Sequence, residues 1–496
     1  MSVLNRATLA SVAEQHRLDG VSVELPRYPR HCDKRICHIG VGGFHRAHQA
    51  WYLHRLLQDG LADGWGIVGI GLRAQDRVLS GILRHQDGLY SLWELDGDTR
   101  RACVIGALFE QIDASVDATQ AIDLIGEAAT RIVSLTVTEA GYCLAPGDGL
   151  DLSHPDIIHD LATPQQPRSV PGLIVRGLQV RQRTGVGGLT AMSCDNLLEN
   201  GHRLRDAVLG FAQQVDGALA RWIESEVSFP CSMVDRITPA ANPARQAALC
   251  AEWGVRDDAL LVCEPWAQWV LEDNFVAGRP DFDKVGAVWS DVVPRFEAMK
   301  VGLLNGGHSA LSHAALMKGH AHVHDAARDP VLQRWLAAYM GEVARTLAAP
   351  PGVSLPDYQR SLIQRFRNPA IDDRLLRLAQ DTCEKFRQAL LPPLQQRLEC
   401  GAKIDAMATA VALWLQYLQT LSSDATARMA YHDGDKDELI RLATSARTDN
   451  DATGFLAHAL PLPTIHTASF AASVNLQLRS LWRIGFDAHI ARLSGA

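Results

Sequence analysis

Three polar side chains interrupt an apolar, glycine-rich segment, KVGLLNGGHSAL, at residues 300 to 311. The segment has the composition of a buried helix, yet it carries Lys300, Asn305 and His308. An α-helical wheel of about 100° per residue places the three on one face and aligns Lys300 with His308. A buried ammonium group is costly unless it is paired or neutral. This face therefore needs either a structural partner or a chemical role.

One chemical role is that of a base in alcohol oxidation. Loss of hydride from carbon requires a group that takes the hydroxyl proton and donors that stabilise the developing alkoxide. Burial would lower the pKa of Lys300 from its reference value of about 10.4. Asn305 and Asn196 could supply the amide donors, and His308 could hold a substrate hydroxyl. The alternative is a lysine that reaches water beside a capped asparagine and a packed histidine, and spacing alone leaves both interpretations open.

Alternating strand and helix patterns precede this segment. The strand patterns lie at 35–40, 65–72 and 188–197, with a β-rich stretch at 130–142, and the helical patterns lie at 44–57 and 172–185. This order predicts an α/β domain of the Rossmann type with a mostly parallel sheet.

Helical periodicities dominate after about residue 290. They lie at 295–317, 330–348, 372–391 and 403–421, with prolines between them. We therefore expect an N-terminal dinucleotide-binding domain at 1–290 and an all-α C-terminal domain at 291–496.

A glycine-rich segment, HIGVGGFHRAH, follows the first predicted strand and opens the first predicted helix. Gly40, Gly42 and Gly43 allow a tight turn and a close approach of the backbone to a pyrophosphate. The third glycine of the dinucleotide fingerprint is missing, because His45 and Arg46 occupy the start of the helix. The βαβ context favours a dinucleotide site, and a tight turn without a ligand is the alternative.

Asp76 is the candidate for binding the adenosine ribose. It follows the second predicted strand by a few residues, later than the simple dinucleotide fingerprint predicts for its acidic side chain. Arg73 and Arg77 flank it and either form ion pairs with it or make NADP binding conceivable. We expect NAD as the cofactor, with NADP as the alternative.

Other polar groups follow strand-like runs. Asp195 and Asn196 end one such run and Asp235 and Arg236 another, at the kind of sheet edge where ligands gather. Either pair could instead cap a helix or close a turn. The histidines of SHAALMKGHAHVHD are typical of a solvated loop, and we expect no metal site.

Composition excludes several classes of protein. The net charge of −8 and pI near 6.2 come without a basic stripe, which argues against nucleic-acid binding. The longest apolar stretch, 407–418, is too short for a membrane span and predicts a core helix. The ten cysteines show no CxxC pair, and the N-terminal residues lack the apolar core of a secretory signal. We expect a cytoplasmic protein with reduced thiols.

Six segments, in order along residues 35 to 390, resemble the long-chain mannitol dehydrogenase family of zinc-independent polyol dehydrogenases and sugar-acid reductases. They are HIGVGGFHRAHQA, IVSLTVTEAGYC, MSCDNLLENG, FPCSMVDRITPA, CEPWAQWVLEDNFVAGRP and MKVGLLNGGHSAL. The resemblance implies a Rossmann-type domain, a helical C-terminal domain, an active site in the cleft between them and a monomeric protein.

The resemblance also implies roles for individual residues. Lys300 matches the general base, and Glu297 matches a carboxylate that relays the proton to solvent. The remaining matches are Asn196 and Asn305 for polarising the reacting oxygen, His308, Asp235, Arg377 and Lys385 for contacting the substrate, and Gly40, Gly42, Gly43, Phe44 and Asp76 for binding the cofactor.

Two departures from the family pattern concern specificity. DTCEKFRQ lacks the Gly and Pro that the family carries near its substrate-facing Lys, and Gln75 stands where NAD-preferring members often have a second acidic residue. GVGGF and GIGLRAQDR are closer to mannitol 2-dehydrogenases, whereas DNLLENGH and FPCSMVDR are closer to fructuronate reductases. We expect conversion of mannitol to fructose, or of a related polyol such as arabinitol or sorbitol to its ketose. Reduction of fructuronate to mannonate is the first alternative, and a cofactor-binding regulator without turnover is the second.

Overall fold

The computed structural model describes residues 1–15, 21, 23–145, 147 and 149–493. The chain forms two compact units, Met1–Pro294 and Arg295–Ala496. No helix among the described residues is long and apolar enough to cross a membrane.

The first unit carries the β-structure of the described chain. Its strands are β1 (Ser2–Val3), β2 (Val23–Glu24), β3 (Lys34–Ile39), β4 (Trp65–Gly71), β5 (Tyr90–Asp96), β6 (Thr99–Ile105), β7 (Leu108–Asp113), β8 (Thr130–Leu135), β9 (Thr190–Ser193), β10 (Ser232–Asp235), β11 (Val255–Arg256), β12 (Leu261–Cys263), β13 (Gln268–Leu271) and β14 (Val288–Trp289).

A five-stranded parallel sheet with the order β7-β4-β3-β8-β9 forms the centre of this unit. The first strand of the βαβ unit, β3, lies in the middle, and later strands extend the sheet on both sides. In order of appearance this is 3-2-1-4-5, the first five strands of the six-stranded Rossmann order 3-2-1-4-5-6. The Rossmann-type prediction is therefore confirmed. A mixed sheet, β12-β5-β6-β2, and two smaller sheets, β10-β13-β14 and β1-β11, complete the β-structure.

Both faces of the parallel sheet are buried, which explains its nearly continuous apolar strands. Ile36, Ile67 and Ile132 are cross-strand neighbours and pack into one core. The next residues along two of these strands, Cys37 and Val68, point to the opposite face and pack into a second core. The sheet thus holds its carboxyl-end loops on a scaffold that is rigid from both sides.

The helices of the first unit are α1 (Leu9–Gln15), α2 (Gly43–Ala47), α3 (Gln49–Gln58), α4 (Arg77–His85), α5 (Thr119–Gly126), α6 (Pro155–Ala162), α7 (Val170–Thr184), α8 (Asn200–Val215), α9 (Gly217–Glu226) and α10 (Pro243–Trp253). The helix predicted at 172–185 is confirmed as α7. Its N-cap Ser169 accepts a hydrogen bond from Gly172 N, and Gly185 closes it with φ 68°.

Two predictions in this unit were wrong in detail. The single helix expected at 44–57 is broken at His48, whose φ of −123° and ψ of −89° are not helical. The β-rich stretch expected at 130–142 is a strand only as far as Leu135. The chain beyond it forms a loop and a 3₁₀ turn, Glu139–Tyr142.

The second unit is helical, as expected. Its helices follow α11 (Val293–Met299), which begins just before the unit boundary, and are α12 (Gly306–Met317), α13 (Val323–Ala326), α14 (Pro330–Ala344), α15 (Leu355–Phe366), α16 (Leu375–Leu378), α17 (Thr382–Ala389), α18 (Leu391–Glu399), α19 (Asp405–Leu421), α20 (Ala425–Ala430), α21 (Lys436–Asp449), α22 (Thr453–Ala459) and α23 (Thr464–Leu493).

The apolar stretch at 407–418 lies in α19 and forms part of the core of this unit, because nearly all of its side chains are buried. The prediction of a single helix at 372–391 was wrong. The segment is divided into α16 and α17 at Asp381, whose φ of 49° lies in the left-handed region.

Candidate active site

The segment with Lys300 adopts a π-helical turn. Lys300–Asn305 joins α11 to α12 with helical backbone on both sides, so the three pieces form one continuous helical segment. The α-helical wheel drawn for these residues was therefore wrong. A π turn closes between residues i and i+5, so Asn305 lies one turn above Lys300 instead of well to its side. Single π turns within α-helices occur frequently at functional sites.

Three of the predicted site residues on this helical segment have buried ionisable side chains. Glu297 is 4% exposed, Lys300 6% and His308 8%, and Asn305 is partly buried. The His308 imidazole stacks on the Phe366 ring with 4.0 Å between ring centroids. One helical segment thus carries a carboxyl, an amine, an amide and an imidazole, all of them predicted site residues.

Close packing against α14 explains the glycines of this segment. A Cβ on Gly306 would lie 2.5 Å from the Tyr339 hydroxyl oxygen, and one on Gly307 would lie 2.9 Å from Met340 Cε. Both distances are shorter than van der Waals contact. The glycines therefore let the site helix approach α14 closely, a role that sequence reasoning missed although both glycines were visible in the motif.

Arg377 and Lys385, the predicted substrate contacts on α16 and α17, already have protein partners. Arg377 donates two hydrogen bonds, of 2.9 and 2.7 Å, to the carboxylate of Asp373. Lys385 Nζ donates to the carbonyl oxygens of Leu378 and Gln380, and burial lowers the pKa of Lys385. The charge of Arg377 is thus compensated within the protein.

In the first unit, Asp195 connects two loops at the carboxyl edge of the parallel sheet. Its carboxylate accepts hydrogen bonds from the backbone N–H groups of Val137 and Thr138 and from the Tyr142 hydroxyl. Burial raises the pKa of Asp195 despite these donors. The carboxylate therefore fixes the loop after β8 against the loop after β9, which carries the exposed Asn196.

Asn200 extends this connection to β10. Its Nδ2 donates to the carbonyl oxygens of Asp195 and Ser232, and its Oδ1 accepts from Ser232 N. Asp235 ends the same strand, is 3% exposed and accepts a hydrogen bond from Trp266 Nε1. Asn196 and Asp235 are therefore held on neighbouring, mutually bonded segments. Sequence reasoning missed Asn200, for which the only signal was a second asparagine in DNLLENG.

The glycine turn after β3 has the tight geometry expected of it. Gly40 has φ 87°, and a Cβ there would collide with the carbonyl oxygen of Thr136. Gly42 N donates to Gly40 O over 2.7 Å, and Gly43 begins α2. The partly buried Phe44 ring stacks on His48 with 4.9 Å between centroids. Because glycine has no side chain, the backbone at these three positions is open to the close approach of a pyrophosphate.

Asp76 lies just beyond β4, where an adenosine ribose is bound in dinucleotide folds. Its Oδ2 accepts hydrogen bonds from Leu72 N and Arg73 N, so one carboxylate oxygen shapes its own loop. Arg73 pairs with Asp156 at 2.8 Å and Arg77 with Asp113 at 3.5 Å. Each arginine thus has a carboxylate partner other than Asp76. These partners would compete with the 2′-phosphate of NADP for the two arginines.

The histidine tract after α12 forms separate ion pairs. His320 Nε2 lies 3.5 Å from Asp329, and His322 Nε2 lies 3.3 Å from Asp372. Among the described residues, no group of three or more His, Cys, Asp or Glu side chains is arranged to hold a metal ion.

Two family models match this chain and together cover both units. The model described as the mannitol dehydrogenase Rossmann domain matches residues 34–284, and the mannitol dehydrogenase C-terminal domain matches residues 291–458. D-mannonate oxidoreductase of Escherichia coli (strain K12) is 43% identical over 400 residues, which are 80% of this chain and 82% of that protein.

Two solved structures are similar over nearly the whole chain. The Pseudomonas fluorescens mannitol 2-dehydrogenase in a ternary complex with NAD and D-mannitol has a TM-score of 0.83 and 36% identity, covering 99% of each chain. A substrate-free D-sorbitol dehydrogenase has a TM-score of 0.85 and 32% identity, covering 98% of this chain and 100% of the other.

Proposed function

Because this chain belongs to the mannitol dehydrogenase family and is an NAD-dependent oxidoreductase acting on CH–OH groups, we propose that it interconverts a polyol and its ketose. Mannitol and fructose are the first candidates, followed by arabinitol and sorbitol with their ketoses. The mannitol and sorbitol specificities of the two similar solved proteins support this choice.

The observation that carries the proposal is the burial of Lys300 in a π-helical turn, together with the buried Glu297 and His308. A buried amine is a usable base near neutral pH, because desolvation disfavours its charged form. We assign Lys300 as the general base that takes the hydroxyl proton of the substrate. Glu297, one helical turn away on α11, would pass this proton to solvent.

The developing charge on the substrate oxygen requires hydrogen-bond donors. We assign this role to the side-chain amides of Asn196 and Asn305. His308 and Asp235 would hold neighbouring substrate hydroxyls, and Arg377 and Lys385 would contact the far end of the substrate. Since the protein supplies both base and oxygen-polarising groups, the reaction needs no metal ion.

The residues that would hold NAD lie in the first unit. The backbone of Gly40, Gly42 and Gly43 would contact the pyrophosphate, Phe44 would lie beside it, and Asp76 would bind the ribose hydroxyls through its remaining oxygen. NAD, when bound, accepts the hydride from the carbinol carbon. NADP is the less favoured cofactor, because Arg73 and Arg77 are paired with Asp156 and Asp113.

A substrate panel tests the proposal. The protein is incubated with NAD and mannitol, arabinitol or sorbitol in the presence of EDTA, and NADH formation is followed at 340 nm. We expect turnover of at least one polyol at the same rate with and without chelator. Loss of activity on chelation would contradict the assignment of a lysine base. Binding of NADH without turnover of any polyol or hexuronate would favour the non-catalytic regulator.

A sugar-acid reductase is the second candidate, favoured by the identity of 43% with D-mannonate oxidoreductase. Such a substrate needs a cation for its carboxylate, and Arg377 or Lys385 could supply it. The bidentate pair of Arg377 with Asp373 weighs against this use. Comparing fructose with fructuronate as oxidants of NADH decides between the two, since kcat/KM should favour fructose under the first proposal and fructuronate under the second.

A further inference from the structure

We propose that a directed chain of hydrogen bonds from Gln49 through Ser134, His38 and Thr136 fixes the glycine turn by holding the Gly40 carbonyl. The inference rests on the proposed function, in which this turn holds the pyrophosphate of NAD. The four side chains are positioning residues, because they act on the cofactor through the backbone of the turn.

The chain connects strands and helices on which its members are far apart in sequence. Ser134 Oγ lies 2.8 Å from the amide atom placed as Gln49 Oε1 and 2.8 Å from His38 Nδ1. His38 Nε2 lies 3.0 Å from Thr136 Oγ1, which in turn lies 2.7 Å from Gly40 O. Gln49, His38 and Ser134 are fully buried, so water does not compete for the bonds among these three side chains. The two bonds of Thr136 are partly buried.

A count of protons fixes the direction of the chain from its end at the turn. A carbonyl oxygen only accepts, so the Thr136 hydroxyl must donate its single hydrogen to Gly40 O. Thr136 Oγ1 then accepts from His38, which requires a hydrogen on Nε2. Burial lowers the pKa of His38 to about 3, so the ring is neutral and its Nδ1 is an acceptor.

The same count continues to Gln49. Because His38 Nδ1 is an acceptor, the Ser134 hydroxyl must donate to it, and Ser134 Oγ must accept from the Gln49 amide. The oxygen and nitrogen of a side-chain amide can be exchanged without changing the space that the amide fills. The count of protons therefore decides between the two orientations, and it places Gln49 Nε2 next to Ser134 Oγ. The amide oxygen then turns to the side where Gln49 also interacts with His45. This assignment gives a hydrogen-bond partner to Gln49 Nε2, which otherwise has none among the described residues.

The residues that replace the third fingerprint glycine belong to the same assembly. The His45 ring stacks on His38 with 3.4 Å between centroids, which favours two neutral rings over two charged ones. Arg46 Nε donates to Gly42 O over 3.3 Å, and its guanidinium also donates to Ala259 O. The two carbonyls of the turn, Gly40 O and Gly42 O, are therefore each held by a side chain of the protein.

This bonding has a consequence for cofactor affinity. A turn whose carbonyls are already held presents its N–H groups to the pyrophosphate without further ordering on binding. Loss of the Thr136 hydroxyl leaves Gly40 O with its bond from Gly42 N alone, so nothing then ties the turn to the chain after β8 through this carbonyl. This loss should weaken dinucleotide binding while leaving the chemical step of the bound complex unchanged. We therefore expect a change in KM and Kd for the cofactor and not in kcat.

Thr136→Val is the central variant, because it removes the hydroxyl and keeps the shape of the side chain. We expect Kd for NADH, measured by fluorescence titration, and KM for NAD to rise about tenfold, with kcat at saturating NAD within about twofold. Thr136→Ser, which restores a hydroxyl, should bind NADH within about twofold of the original protein.

Thr130→Val is the matched control. Thr130 lies on the same strand as Ser134 and donates to Leu124 O, away from the glycine turn. We expect it to lower thermal stability with an unchanged Kd for NADH. An equal effect of both valine variants on Kd, or none from Thr136→Val, would overturn the proposal.

Ser134→Ala tests the direction of the chain. Without the Ser134 donor, the His38 proton can move to Nδ1, and Thr136 would then turn its hydroxyl to Nε2 and release Gly40 O. We expect NADH binding about threefold weaker, although Ser134 does not touch the turn. An unchanged Kd for NADH would contradict the assignment of the His38 proton to Nε2. If the unsubstituted protein itself fails to bind NADH, the proposed function has failed instead.

Discussion

At the scale of single residues, several positions assigned to chemistry are buried, among them Glu297, Lys300 and His308, and other side chains fix their surroundings. Lys300 and His308 lie within the second unit, and Asp195 lies directly before Asn196 in the first. A buried ionisable group is costly, so its retention at a site is explained by function or by specific partners. Asp195 has such partners in Val137, Thr138 and Tyr142, and we propose that Lys300 has a function.

Lys300→Ala should abolish nearly all alcohol oxidation and leave cofactor binding intact. A general base contributes about 10²- to 10⁴-fold to the rate, so we expect a loss of that size in kcat. The pH dependence of kcat/KM should also lose the ionisation of the base, whereas Kd for NADH should stay within about twofold.

Lys318→Ala is the control for Lys300. Lys318 follows the same helical segment but is paired with Asp487 at 2.8 Å and Asp329 at 3.2 Å. Its replacement should leave kcat unchanged. If the ionisation seen in the pH profile survives in Lys300→Ala, the base is another residue.

Asp195→Asn should destabilise the carboxyl edge of the parallel sheet. The amide can face Val137 N and Thr138 N with its oxygen, but its nitrogen cannot accept the hydrogen bond from Tyr142. We expect a loss of about 1–3 kcal/mol in the free energy of unfolding, measured by urea denaturation, with a lower kcat because Asn196 is adjacent. Tyr142→Phe removes that donor together with the bond between the Tyr142 hydroxyl and Ser193 Oγ, and should cost about 1–2 kcal/mol. Equal stability of Asp195→Asn and the original protein would contradict the bridging role.

At the scale of elements, one helical segment combines α11, a π-helical turn and α12. The turn places Lys300 and Asn305 one above the other, and the glycines that follow it allow close packing on α14. The geometry of the polar groups therefore depends on how closely α14 approaches. Substitutions at this contact should change both stability and activity.

Gly306→Ala should destabilise the second unit although alanine favours helices. The new methyl group would lie 2.5 Å from the Tyr339 hydroxyl, and overpacking of this kind costs about 1–3 kcal/mol. The matched variant is Gly341→Ala on α14, where an added Cβ meets nothing within 4 Å. It should stabilise the protein by about 0.5–1 kcal/mol. Thermal denaturation should therefore show a lower melting temperature for Gly306→Ala and a higher one for Gly341→Ala than for the original protein.

Tyr339→Phe should rescue part of the loss in Gly306→Ala. The Tyr339 hydroxyl is buried and has no hydrogen-bond partner among the described residues, so its removal alone should be neutral or stabilising. A double-mutant cycle should therefore show coupling between positions 306 and 339. If the changes in stability of the two single variants simply add in the double variant, the methyl group of Gly306→Ala does not press on the Tyr339 hydroxyl.

At the scale of the whole molecule, buried neutral histidines make stability depend on pH. Burial lowers the pKa of His38, His54 and His313 to about 3 and that of His45 well below its ordinary value. In the unfolded chain each would titrate near 6.5. Below pH 6.5 the unfolded chain binds protons that the folded protein does not. The contribution of these residues is therefore complete above that pH and is lost as pH falls toward 3.

Urea denaturation at pH 6.5 and 5.5 should show this loss, at about 1 kcal/mol per histidine over that interval. Burial raises the pKa of Asp195 and Asp257, and this favours the folded protein as pH falls, opposite to the effect of the histidines. Histidine variants are therefore needed to isolate the histidine contribution. His313→Gln should reduce the loss between the two pH values. His202→Gln, at a side chain that is 59% exposed, should not. An identical pH dependence for His313→Gln and the original protein would contradict the assignment.

The sequence by itself determined the alternation of strands β3, β4, β8 and β9 with helices, the glycine turn after β3 and the polar segment around Lys300, but not the strands β5, β6 and β7. These features depend on periodicity and on residue types within short windows, which local interactions enforce. The breaks at His48 and Asp381 were not predicted, because apolar periodicity continued through both. The roles proposed for individual site residues came from the resemblance to a family and not from spacing.

Only the tertiary structure decided which polar groups meet. His38 and Ser134 are 96 residues apart, and Asp195 and Val137 are 58 apart, so no local pattern predicts their hydrogen bonds. The π-helical turn at Lys300–Asn305 likewise follows from packing, since its sequence suits an α-helix equally well. Burial in the folded chain also sets the low pKa of His38 and its neutral state. Long-range contacts and desolvation exist only once the chain is folded, and they supply the geometry on which the proposed chemistry depends.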